Sequence, residues 1–157
     1  MSFEGDSLNE SITVTGNITA HLFASTSASD ADFVVKLIDV YPDFNRKSIL
    51  MSGYELPVAM EVFRGRFRKS FVKPEPLTPN EPSEFVIDLH QVNHTFLKGH
   101  RIMVQVQNSF FPMADRNPQR FTNIYTCDST AFQKANIKIY HSNQYPSGIK
   151  FNMLRDE

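Results

Sequence analysis

Three histidines lie close together in the chain, His90, His94 and His100, and imidazole is a common zinc ligand. Their spacing is wide for a structural zinc. His90 and His94 would share a face only on a helix, whereas their segment reads as a strand entering a loop. Asp30 and Asp32 flank a single alanine and offer two carboxylates to calcium. Hard cations of that kind need several further oxygen ligands, and no acidic cluster lies nearby. A strand-entry turn, with the carboxylates capping free backbone N–H groups, is the plainer reading. Serine nucleophiles of α/β-hydrolases sit on a strained Gly-x-Ser-x-Gly turn. Here Ser52 precedes Gly53 but follows Met51, and no other serine has that context. The residues therefore point to no catalytic constellation, no cofactor and no metal, and the isolated chain is expected to hydrolyse nothing.

Arginine is the residue type whose pattern points to binding. In MEVFRGRFRKSF, residues 60–71, Arg64, Arg66 and Arg68 alternate and would line one face of a strand. That face is either simply solvated or an anchor for an acidic surface, since guanidinium forks pair bidentately with carboxylates. Asp115-Arg116-Asn117-Pro118 is either a plain turn or a network in which Arg116 holds the loop through a carboxylate. Phe110 and Phe111 follow directly on a strand whose core positions are already filled, so either at least one reaches the surface or both turn inward and cap the end of the sandwich. Exposed aromatics beside arginine match the composition of interface cores. A sugar platform would present aromatic faces; the chain has no tryptophan, and Tyr41, Tyr54 or Tyr140 would have to serve.

The elements that must position these groups are strands. From Arg101 to Gln107, Ile102, Val104 and Val106 alternate with Arg101, Met103, Gln105 and Gln107, after a tight turn at Lys98-Gly99-His100. Ile12 to Thr26 reads as two short strands around Gly16-Asn17. Asp32 to Tyr41 is apolar on both faces and belongs in the middle of a sheet, where Lys36 and Asp39 need partners. Phe85 to Leu89, Ile137 to Tyr140 and Ile149 to Met153 complete the set. The only helix-like piece is Asp128 to Lys134, with Asp128 as cap. Pro74 to Pro82 holds four prolines in nine residues and reads as an extended loop. Short strands separated by long connections indicate an all-β jelly-roll sandwich over residues 12–157, preceded by a polar tail at residues 1–11.

Composition narrows the function classes. The 157 residues carry a formal net charge of −1, which gives no electrostatic reason to expect nucleic acid or an anionic membrane as partner. No apolar run approaches the ~20 residues of a bilayer span. The lone Cys127 permits no internal disulfide. Fourteen phenylalanines and five tyrosines favour strands.

Four blocks then carry a resemblance. They are VTGNITAHLFASTSASDADFVVKLIDVYPD from Val14, the FRGRFRKSF segment with its proline-rich sequel, VNHTFLKGHRIMVQVQNSFFP with DRNPQ, and IYHSNQYPSGIKFNML. In this order they resemble the C-terminal sandwich, galactose-binding-domain-like in architecture, of the X-prolyl dipeptidyl peptidase and CocE/NonD hydrolase family. MSGYE and DRNPQ look most like its glutaryl-7-aminocephalosporanic-acid acylase branch, while Asn108 stands where the family often has serine. The resemblance implies an accessory, non-catalytic domain of a serine hydrolase. Its partner would be the α/β-hydrolase domain of the same polypeptide, and strands normally preceding Leu8 would be absent. The docking surface is expected at the loop from Phe110 to Arg120, with Phe111, Arg116 and Asn117, together with the face of Arg64, Arg66 and Arg68, while Gly99, His100 and Arg101 belong to the family motif. Self-association of the isolated domain is a further expectation. An independent carbohydrate- or peptide-binding module is the alternative, and the cellular compartment is open.

Overall fold

The computed structural model describes residues 1–154. Eight strands form two antiparallel sheets packed as a sandwich: β1 (Ser2–Glu4), β2 (Ile12–Thr26), β3 (Asp32–Val40), β4 (Glu55–Arg64), β5 (Ser83–Phe96), β6 (Arg101–Gln107), β7 (Ile137–Tyr140) and β8 (Gly148–Met153). One sheet has the order β1-β6-β3-β4; in the other, β2 pairs β5 on one side and both β7 and β8 on the other. The remaining regular structure is three short 3-10 turns, at Ile49–Met51, Gly65–Phe67 and Ser129–Ala131. The last is the helical turn expected near Asp128, whose side chain accepts from the Thr130 N–H.

The core lies between the sheets and follows the period-two pattern. Val14, Ile18, Ala20, Leu22 and Ala24 of β2 face Phe33, Val35 and Leu37 of β3, with Phe85, Ile87, Leu89 and Phe96 of β5. Phe33 and Phe85 meet with ring centroids 4.5 Å apart. Strand β3 is central and buried along both faces, as its apolar run requires. Its outer-face residues Ile38 and Val40 pack with Met103 of β6. The Lys98-Gly99 turn is present: Gly99 has φ +86°, and the His100 N–H donates to Leu97 O.

Three segments differ from the sequence-based expectation. Residues 12–26 form one strand, not two. The even-numbered apolar positions stay in phase through Gly16, which takes φ +80° while the register to β5 shifts between Asn17 and Thr19. Residues 1–11 are not a free tail. Ser2–Glu4 pairs with Met103–Gln105, and Leu8 exchanges backbone hydrogen bonds with Gly99 and His100. A backbone ladder needs no apolar side chain, so polarity alone did not reveal it. Finally, the strand through the arginines stops at Arg64. The Gly65 N–H donates to Ala31 O at 2.8 Å and the chain turns there.

Gly65 makes that turn possible. A Cβ at this position would lie 2.8 Å from the Ala31 carbonyl oxygen and 3.2 Å from the Phe85 ring. Because the closest atom is backbone, it cannot swing away. Gly65→Ala is expected to cost about 1–3 kcal/mol by overpacking, measured by urea unfolding. A loss below about 0.5 kcal/mol would show that the Ala31 strand entry yields freely.

Candidate functional site

Turning the chain at Gly65 changes what the arginines do. Arg66 does not alternate outward; it points into the end of the sandwich, where its side chain is nine-tenths buried. Its Nε donates to Asp30 Oδ2 at 2.9 Å, its Nη2 donates to the same oxygen, and its Nη1 donates to Thr122 O at 2.8 Å. Asn117 Nδ2 donates to both Asp30 Oδ2 (2.9 Å) and Asp32 Oδ1 (2.7 Å). Asn117 Oδ1 in turn accepts from the Gln119 N–H. Asp30 and Asp32 thus do not cap a turn; they are the buried sockets for a guanidinium and an amide. Crowding two carboxylates out of water has a cost. Burial pushes Asp32 up from its ordinary 3.8 to about 6, with the Asn117 hydrogen bond and Arg64 opposing and Asp30 reinforcing the rise.

This network fixes the long connection between β6 and β7. Residues 108–136 contain only one 3-10 turn and would otherwise be free to move. The loop is tied at Asn117 and Thr122 as above, at Phe121 N–H to Ser29 Oγ (3.0 Å), and at Gln133 N–H to Pro118 O (3.1 Å). Held this way, it displays apolar side chains outward: Phe111 is 66 % exposed, Met113 79 %, Tyr125 80 % and Phe132 44 %. Phe110 is half-buried, its ring centroid 4.9 Å from Lys36 Nζ. Of the two phenylalanines, Phe111 is therefore the one that reaches the surface.

Guanidinium groups interleave with these rings. Arg116 sits over both Phe111 (5.5 Å) and Phe132 (5.6 Å), Arg64 over Tyr125 (5.8 Å) and Arg66 over Phe121 (5.0 Å). Arg64, Arg66, Phe67, Phe121 and Tyr125 line a cleft of about 390 Å³. The continuous arginine stripe does not exist. Arg66 is internal, and Arg68 turns back to the carbonyls of Gly65, Glu75 and Pro76. Of the two alternatives for residues 115–118, the loop is held by a network, but through Asn117; Arg116 stacks on aromatics.

Gly99, His100 and Arg101 lie elsewhere. Val40 pairs with Arg101 at one end of β3 and Asp32 with Arg64 at the other, about 26 Å away at strand rise. There the buried Asp39 carboxylate bridges two imidazoles, His94 Nε2 at 2.9 Å and His100 Nδ1 at 2.8 Å. His90 turns instead to Glu61. Arg101 pairs with Glu4 and Asp43. These contacts give Asp39 the partner its burial demanded, and the family-motif residues Gly99, His100 and Arg101 lie at the end of β3 opposite Arg64. The sequence missed Met113, Tyr125 and Phe132, which lie in a stretch without periodicity, and the pairing of Asp30 with Arg66. The Asp-x-Asp spacing beside a buried strand was the only available signal.

The fold and this site together define a β-sandwich in which buried polar groups secure a large surface loop whose exposed aromatics meet arginines. The chain belongs to the X-Pro dipeptidyl-peptidase C-terminal non-catalytic domain family, whose pattern matches residues 1–150. It is 33 % identical over 155 residues to the cocaine esterase of Rhodococcus, covering 99 % of this chain and 25 % of that protein. Two solved structures superpose closely. An aminopeptidase from a marine-sediment Thaumarchaeota archaeon gives a TM-score of 0.97 at 44 % identity, covering 99 % of this chain and 26 % of its own. An α-amino acid ester hydrolase gives 0.96 at 48 % identity, covering 98 % and 25 %. The chain thus spans about a quarter of the length of the relatives it matches.

Proposed function

We propose that this chain is the accessory C-terminal domain of a CocE/NonD-type serine hydrolase, in which it braces the α/β-hydrolase domain of the same polypeptide and shapes the entrance to the active site. The loop of residues 108–136 is its docking surface. The observation that carries this reading is the combination of anchoring and exposure in one segment: Asn117 is buried between two carboxylates while Phe111, Met113 and Tyr125 are two-thirds or more open to solvent. Ordering so much apolar surface outward is unfavourable unless a partner covers it. The higher identity to the α-amino acid ester hydrolase and the aminopeptidase than to the cocaine esterase supports a parent that acts on α-amino acyl esters or amides.

Phe111→Ala in the full-length hydrolase is expected to weaken domain docking by about 1–2 kcal/mol, the scale of an interface anchor. In the 157-residue chain the same change should cost under about 0.5 kcal/mol, because the ring is exposed there. Calorimetry reads the difference as a shift, or a splitting, of the unfolding transition in the full-length protein alone. Equal effects in both proteins would place the docking surface elsewhere and leave an independent sugar- or peptide-binding module as the better reading.

A further inference from the structure

Arg64, Arg66, Arg68 and Arg116 stand at the loop end of the sandwich, and they fall into two groups. Arg66 and Arg68 have their guanidinium donors engaged by acceptors of this chain. Arg64 and Arg116 do not. Among the described residues neither guanidinium donates a hydrogen bond, and the carboxylates nearest Arg64, Asp32 and Asp115, reach it only as loose ion pairs at 3.9 and 4.0 Å. Arg116 has no ion pair among the described residues; it lies between the rings of Phe111 and Phe132. A guanidinium stacked on an aromatic ring is held in orientation while the N–H groups on its edge stay free, the arrangement that best prepares a bidentate contact with a carboxylate. Charge points the same way. The loop of residues 108–136 carries Arg116, Arg120 and Lys134 against Asp115 and Asp128, a surplus of one positive charge on a chain whose net charge is −1. Asp30 and Asp128 are already engaged, by Arg66 and Thr130.

We infer that Arg64 and Arg116 are the two polar contacts of the docking surface, and that each receives a carboxylate side chain from the hydrolase domain of the same polypeptide. The aromatic rings around them exclude water and so strengthen the pairs. This rests on the docking reading above, since it names the chemistry that the covered surface meets. Arg64, flanked by Tyr125 and the cleft beside it, takes the more enclosed partner. Arg116, at the rim between two phenylalanines, takes the more exposed one.

The test is amide hydrogen exchange of residues 110–134, followed in the full-length hydrolase and in the 157-residue chain. Docking should make these amides exchange more slowly in the full-length protein. Arg64→Gln with Arg116→Gln should raise their exchange there by about tenfold or more, as expected when one side of an interfacial charge pair is removed. Arg64→Lys with Arg116→Lys keeps the charge but loses the fork, and should fall between. About 1 M NaCl, with a Debye length near 3 Å, should speed exchange in the wild type more than in the glutamine variant. If the glutamine variant matches wild type while Phe111→Ala still opens the loop, docking is apolar and the carboxylate pairing is wrong. If the loop exchanges equally in both proteins and no variant changes it, the docking reading falls, and the pairing with it.

Discussion

Replacing Asp30 with alanine should lower the stability of the 157-residue chain by about 3–5 kcal/mol, the range for removing one partner of a buried ion pair. Asp30 is fully buried. Its Oδ2 accepts from Arg66 Nε, Arg66 Nη2 and Asn117 Nδ2. Its Oδ1 accepts nothing among the described residues, so Oδ2 carries the whole attachment. Without it, a nine-tenths-buried guanidinium keeps only Thr122 O as a hydrogen-bond acceptor among the described residues, and the cost is that of an uncompensated charge. Such a loss is a large fraction of the ~5–15 kcal/mol that holds a domain of this kind together. The double variant Asp30→Ala with Arg66→Met removes both charges and should recover most of the loss, because an apolar pair of similar volume bears no desolvation penalty. Urea unfolding of the three proteins decides it. A single-variant loss under about 1 kcal/mol, or a double variant no better than the single, would mean that the ion pair does not anchor the loop.

Asp32 should make the chain less stable as pH rises from about 4 to about 6. Its carboxyl is held at about 6 in the folded chain against an ordinary 3.8, chiefly because burial disfavours the charged form. Between those values the native state retains a proton that the unfolded state has released, so stability falls with pH across the window, by about 3 kcal/mol in total. Below 3.8 both states are protonated and the contribution is fully present; above about 6 it is gone. Other carboxylates run the opposite way. Glu75 is held below its ordinary value by Lys69, and Asp128 by the Thr130 hydroxyl and N–H, so both favour folding at higher pH. The comparison with Asp32→Asn isolates the Asp32 contribution. Asparagine still accepts from Asn117 Nδ2 through its own oxygen but does not titrate. The stability of the variant minus that of wild type should therefore rise with pH across the window and level off above it. A flat difference from pH 4 to 7 would show that Asp32 ionises in the fold as freely as in water.

Much of the sandwich was legible in the residues themselves. The alternation of Ile102, Val104 and Val106, of Phe85, Ile87 and Leu89, and of the even positions from Ile12 to Ala24 marks strands. The apolar run from Phe33 to Val40 marks the buried centre of a sheet. These are consequences of a side-chain period of two against a single core, and they need no knowledge of what lies opposite. The four blocks of family likeness were legible for the same reason, being contiguous in the chain.

The site was not legible to the same degree. Asp30, Arg66 and Asn117 are 36 and 87 residues apart in their pairings, and nothing in their neighbours announces a partner so distant. One backbone hydrogen bond, Gly65 N–H to Ala31 O, ends β4 two residues before Arg66 and turns that side chain from the expected outer face into the interior. The same distance effect separates His100 and Arg101 from Arg64, although both lie beside the one strand β3. Sequence thus determined which residues are strand, which faces are apolar and which family the pattern resembles, because each is a local property. Only the tertiary structure decided which charges meet, which arginines keep free donors and which aromatics stand outside. Those depend on the closure of loops many residues long, where a single turn outweighs any local preference.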